Sequence, residues 1–140
     1  MRLLGSTALV LCLFCLAGCR DDSETLNAND VAQALRTHGF GVGVHSSRDS
    51  DFAALVDEAF PGTVQKGAVS VVAGRVPVLH STPAGYTPKL LVEAVVFEHA
   101  EQASCSVPNV LGSCLRKGNV VLVVRAPREA AAHRALDDVN

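Results

Sequence analysis

Leu90 to Phe97 reads LLVEAVVF, and this stretch decides the fold. Its composition would suit a helix, but three valines and a short length favour a β-strand. A second run, Val120 to Val124 (VVLVV), is almost continuously apolar. It reads as a strand that is central in its sheet or buried on both faces. Outward from these two, Val69 to Ala73 is β-branched and extended. Phe40, Val42 and Val44 alternate with glycines and lead to His45 as a short strand. Pro77 within RVPVLHS confines that stretch to an edge strand or a loop. Ser81 to Lys89 (STPAGYTPK) is a loop rich in Pro and Gly.

The helices follow from apolar periodicity and end signals. Asp30-x-x-Gln33 has the form of a capping box, with Val31, Ala34, Leu35 and His38 on one face and Gly39 as the stop. Asp49 or Ser50 can cap a second helix whose stripe is Phe52, Leu55, Val56, Ala59 and Phe60, ended by Pro61-Gly62. Glu98 to Ala103 is expected to be helical, and Pro108 bars a longer helix. Glu129 to Val139 is a final helix with Ala130, His133, Leu136 and Val139 inward. After the first helix the order is β-α-β-β-α-β-α. That predicts an α+β domain over residues 30–140: a two-layer, antiparallel-rich sheet with helices on one face, as in split βαβ or ferredoxin-like folds.

The N-terminus sets the expected address. Met1-Arg2 is followed by the apolar run Leu3 to Leu16, too short to span a bilayer, for which about 20 residues are needed. It has the character of a secretory signal peptide, here residues 1–18. Leu16-Ala17-Gly18-Cys19 matches the bacterial lipobox: an aliphatic residue, two small ones, then Cys. The small residues suit a signal peptidase cleft, and the Cys19 thiol is the expected lipid attachment point. Two acyl chains, diacylglyceryl with palmitate as a candidate acid, anchor a protein stably. Cys12 and Cys15 would leave with the leader. Residues 19–29 are polar and are expected to be a flexible tether.

The C-terminal half resembles a group of small actinobacterial lipoproteins of unknown function. The matching pieces are Gly85-Tyr86-Thr87-Pro88-Lys89, Val95-Val96-Phe97 with Ala100 and Ala103, Gly118-Asn119-Val120-Val121-Leu122-Val123, and Ala130 to Leu136, together with the leader. The resemblance implies a lipidated envelope protein and carries over no catalytic residue.

Chemistry is sparse. Residues 20–140 carry 11 Lys and Arg against 14 Asp and Glu, which opposes non-specific nucleic-acid binding. With Cys19 acylated, Cys105 and Cys114 remain, an even pair in an exported protein, and a disulfide is expected. The histidines His38, His45, His80, His99 and His133 form no H-x-H or HExxH, and His99 with Glu98 and Glu101 is read as a solvated helix start. Gly39-x-Gly41-x-Gly43 follows a helix rather than a strand, unlike a phosphate loop. No G-x-S-x-G elbow and no close carboxylate pair suggest hydrolysis. No catalytic set, metal set or cofactor is therefore expected. The function expected is a non-catalytic interaction or binding module, lipid-anchored on the extracytoplasmic face of the cell membrane, whose partner is an envelope protein or ligand. The alternative is a ligand-binding protein or enzyme with a pocket near the Tyr86 and Cys105–Cys114 loops, in which Tyr86 and Lys89 are the candidate binding residues.

Overall fold

The computed structural model describes residues 23–62, 66–77, 84–85, 88–106 and 108–140. Its elements are α1 (Ala28–Thr37), β1 (Gly43–Ser46), α2 (Phe52–Ala59), β2 (Ala68–Arg75), β3 (Leu90–Phe97), β4 (Gly112–Lys117), β5 (Val120–Arg125) and α3 (Glu129–Asp137). The five strands form one sheet in the order β1-β2-β3-β5-β4, and each neighbouring pair is antiparallel. The α+β class and the antiparallel sheet are as expected.

Two finer expectations fail. A split βαβ needs a parallel pair, and none occurs among these strands. Glu98 to Ala103 forms only the single 3-10 turn Ala100–Gln102, so no crossover helix follows β3, and β1 and β2, although joined through α2, pair directly and antiparallel. The helices also cover both faces instead of one. Val72, Ala94 and Leu122 align across the sheet and face α1 and α3, packing with Val31, Leu35, Ala132 and Leu136. Val71, Val95 and Val121 align on the opposite face, with Leu55, Val56, Ala59 and Phe60 of α2 and with Leu111. Strands without a polar face must be covered on both sides, so LLVEAVVF and VVLVV themselves demand three layers.

Strand β4 (GSCLRK) lies where the sequence pattern predicts no helix or strand, beginning inside the Cys105–Cys114 loop. It is half-exposed along its length at the sheet edge, so it lacks an apolar signature. Gly118 and Asn119 form its two-residue connection to β5, as the pairing of Lys117 with Val120 requires. Gly118 has φ +51, and a Cβ there would overlap the Glu24 carbonyl, so only glycine fits.

Residues 24–29, expected to belong to the tether, are docked. Leu26 is buried in the core, and the Leu26 N–H donates to Asn119 Oδ1 at 2.6 Å while Asn119 Nδ2 donates to the Leu26 carbonyl at 3.0 Å. The same amide reaches the Phe97 carbonyl at 2.8 Å, and the Asn119 N–H donates to the Glu24 carbonyl. Asn27, not Asp30, caps α1, accepting from the N–H groups of Asn29 and Asp30. In α3 the inward residues are Ala132, Ala135 and Leu136, followed by Val139; Ala130 and His133 are exposed. Among the described residues no helix is long and apolar enough to cross a membrane.

Candidate functional site

The alternation along β3 turns Glu93 toward α2, on the same face as Val95. In its row across the sheet it lies between Ala73 of β2 and Val123 of β5. It is fully buried, and neither carboxyl oxygen has a hydrogen-bond partner. Burial among apolar groups pushes its pKa from 4.5 up to about 8; the negative charge of Glu58 adds to the rise, and Arg75 opposes it. At neutral pH Glu93 is therefore an uncharged acid.

Glu58 and Arg75 are the charged groups that act on this carboxyl. Glu58 projects from α2, where it is half-buried, and Arg75 ends β2. They pair in a fork, Nη1 to Oε1 at 3.0 Å and Nη2 to Oε2 at 2.9 Å. Arg75 also donates to the Pro88 carbonyl at 2.8 Å, and Glu58 accepts from the Leu90 N–H at 3.3 Å. These bonds fix α2 to the start of β3.

A cleft of about 270 Å³ opens between α2 and the β1–β2 edge. Its polar walls are His45, Asp51, Glu58 and Arg75, and its apolar lining includes Ala73 beside Ala54 and Leu55 of α2. His45 reaches it because β1 pairs His45 with Val71, on the α2 face. His45 Nδ1 lies 3.0 Å from Asp51 Oδ2. Asp49 closes the turn after β1, its Oδ2 accepting from the Ser46 N–H at 2.6 Å. The arrangement can accept donors and hold positive charge. With Arg75 committed to Glu58, the remaining charged wall group, Asp51, is negative.

The residues singled out from sequence lie elsewhere. Cys19 and Tyr86 are outside the described residues. Lys89 is exposed at the start of β3, and its carbonyl accepts from the Val76 N–H at 2.8 Å. Cys105 and Cys114 form the expected disulfide, with Cα atoms 5.8 Å apart, tying the segment after β3 to β4. Strand β5 separates Cys114 from β3, so Lys89 and the disulfide do not share one wall. His38 pairs with Asp138 at 2.6 Å, and His133 with Asp137 at 3.0 Å. Glu93, Glu58, Arg75 and Asp51 were missed by the sequence reading. The available signal was a lone acid in the middle of an apolar strand.

No protein-family model, curated protein or solved structure matches the chain.

Proposed function

We propose that this chain is an exported lipoprotein, anchored through Cys19, whose folded domain is a non-catalytic binding module with its ligand site in the cleft beneath α2. The anchoring half of the proposal rests on Leu16-Ala17-Gly18-Cys19 and on the resemblance to small actinobacterial lipoproteins. The binding half rests on one observation, the partnerless Glu93 carboxyl, whose strand neighbour Ala73 lines the cleft. Holding it protonated at pH 7, against its ordinary value of 4.5, costs about 3 kcal/mol at 1.4 kcal/mol per pH unit. A small domain has only about 5–15 kcal/mol of stability in total. A group that costs so much and returns no internal bond is better explained by a ligand than by the fold. Both oxygens are buried, and the two charged groups that act on them, Glu58 and Arg75, line the cleft.

Two measurements test the two halves. The Cys19→Ala chain is expected to leave the membrane fraction and to lack the diacylglyceryl mass; persistence in the membrane overturns the anchor. Protein extracted in detergent is expected to gain thermal stability with a small-molecule extract of the cell envelope. Ala54→Trp, which fills the cleft, should remove that gain. No gain, or an equal gain in both proteins, overturns the cleft.

A further inference from the structure

The sheet has two edges, β1 and β4, and their outward main-chain groups meet different fates. In an antiparallel ladder alternate residues turn N–H and C=O toward the neighbouring strand, and those between turn them outward. At β1, the Ser47 N–H donates to the Val69 carbonyl, so His45 and Gly43 also bond to β2. Val42, Val44 and Ser46 then face outward. Ser46 is closed by Asp49, whose Oδ2 accepts from its N–H at 2.6 Å and whose own N–H donates to its carbonyl at 2.9 Å. The Val42 carbonyl is closed by Arg36 Nη2 at 3.0 Å. Val44 is left between two closed neighbours.

At β4 the phase follows from β5. The Phe97 N–H donates to the Asn119 carbonyl, so Val121 and Val123 bond to β3, while Val120, Leu122 and Val124 bond to β4. Their partners Lys117, Leu115 and Ser113 are thereby used, and Gly112, Cys114 and Arg116 face outward. Asn109 Oδ1 accepts from the Gly112 N–H at 2.9 Å. The N–H and C=O groups of Cys114 and Arg116 have no partner among the described residues. Charged side chains commonly guard such an edge. Here they turn onto the faces of their own domain: the Arg116 guanidinium donates to the Ala100 carbonyl at 2.9 Å, and Lys117 Nζ to the Leu136 carbonyl at 3.2 Å. One edge is therefore capped and the other is open.

We propose that the open edge of β4 is a strand-addition site for an extended acidic segment of a partner protein. Main-chain bonds to Cys114 and Arg116 supply affinity, and side chains on the two faces supply selectivity. Arg116 shares the α2 face with Cys114, is exposed, and pairs with no carboxylate of the described residues. Its partner is a neutral carbonyl, so an acid in the added strand answers an uncompensated charge. On the other face Leu115 is half-buried against the α1–α3 core, and a β-branched neighbour completes its cover. A second copy of β4 fits worse. GSCLRK holds Arg116 and Lys117 and no acid, so self-pairing crowds like charges into one short ladder. The edge shares no residue with the cleft beneath α2, so the two readings stand or fall separately.

The test is an NMR titration of the full-length, isotope-labelled protein in detergent with the acetylated, amidated peptide TVEVEVT, which presents glutamates on one face and valines on the other. Saturable shifts centred on the Cys114 and Arg116 amides are expected, with a Kd below about 1 mM. The peptide TVKVKVT, of the same shape and opposite charge, should bind at least about tenfold more weakly. Arg116→Glu keeps the main chain and inverts the charge, so it should reverse that order. Arg116→Pro removes an outward N–H, a change that edge strands tolerate, and should abolish binding. No shift at about 2 mM peptide, equal binding of the two peptides, or shifts centred on Val44 overturns the proposal. Protection of the Cys114 and Arg116 amides that grows with protein concentration, without peptide, gives the edge to a second copy and also overturns it. The two peptides are compared on the wild-type protein, so misfolding of a variant neither rescues nor sinks the result.

Discussion

Replacing Glu93 with Gln removes an ionisation while keeping the shape of the side chain. In the wild type the folded carboxyl titrates near 8 and the unfolded one near 4.5. Below 4.5 both states hold the proton, and the group contributes no pH dependence. Between 4.5 and about 8 the native state keeps a proton that the unfolded state has lost. Stability therefore falls as pH rises, by about 1.4 kcal/mol per pH unit, reaching a total on the order of 5 kcal/mol before levelling off. The substituted glutamine would take no part in this. Its amide brings two N–H donors into a site without partners, a penalty of about 1–3 kcal/mol that does not vary with pH. The quantity to read is therefore a slope. Urea unfolding of both proteins from pH 4.5 to 9 gives the stability of the Glu93→Gln chain minus that of wild type. This difference should climb by about 3 kcal/mol between pH 4.5 and 7 and be flat above 8. A difference that stays constant within about 0.5 kcal/mol from pH 5 to 8 would mean that Glu93 titrates as an ordinary carboxyl. Glu93 would then be neither costly nor in want of a ligand.

Glu58→Gln removes a charge that raises the pKa of Glu93 and releases Arg75, which lowers it, so the alkaline fall in stability should level off below pH 8; an unchanged profile counts against the coupling. Changing both Cys105 and Cys114 to Ser opens a short loop, and chemical denaturation should show a loss of about 2–3 kcal/mol on the loop-entropy account, with no loss on reducing the variant. Asn119→Ala strips partners from the Leu26 N–H and from the Leu26 and Phe97 carbonyls, costing about 2–3 kcal/mol. Hydrogen exchange at Leu26 should quicken well before that of the β3 amides.

The parts of the fold that were legible in sequence are those whose signals are local. Phe52, Leu55, Val56, Ala59 and Phe60 define α2 because a helix repeats every 3.6 residues, and Leu55, Val56, Ala59 and Phe60 are buried as that spacing requires. Gly39 ends α1 with φ +87. The nearly unbroken apolar character of β5 marked it as a central strand or one buried on both faces, and cover on both faces conflicts with helices on one face. β4 was hidden because an edge strand buries only part of each side chain. Asn27 was passed over for Asp30 because both have capping side chains, and the choice between them is made by Leu26 docking against Asn119. The site was hidden for a different reason. His45, Glu58, Arg75 and Glu93 come from four segments that only strand register and helix packing unite. The disulfide was legible because counting thiols needs no geometry.

The Asn119 clamp has a mechanical consequence. If Cys19 bears the lipid, the leash is fastened to the domain at Glu24 and not at residue 29. Five residues at full extension reach about 17 Å. The Gly118–Asn119 turn, Phe97 and Ala68 share the end of the sheet where that leash is fastened. From Ala68 to Arg75 the sheet then runs about 24 Å, at 3.4 Å per residue, with the cleft on its farther half. The domain would stand moored by one end, close above the headgroups. Its cleft would be carried outward at a fixed height, and its range would be set by the length of the sheet rather than by the slack of the chain.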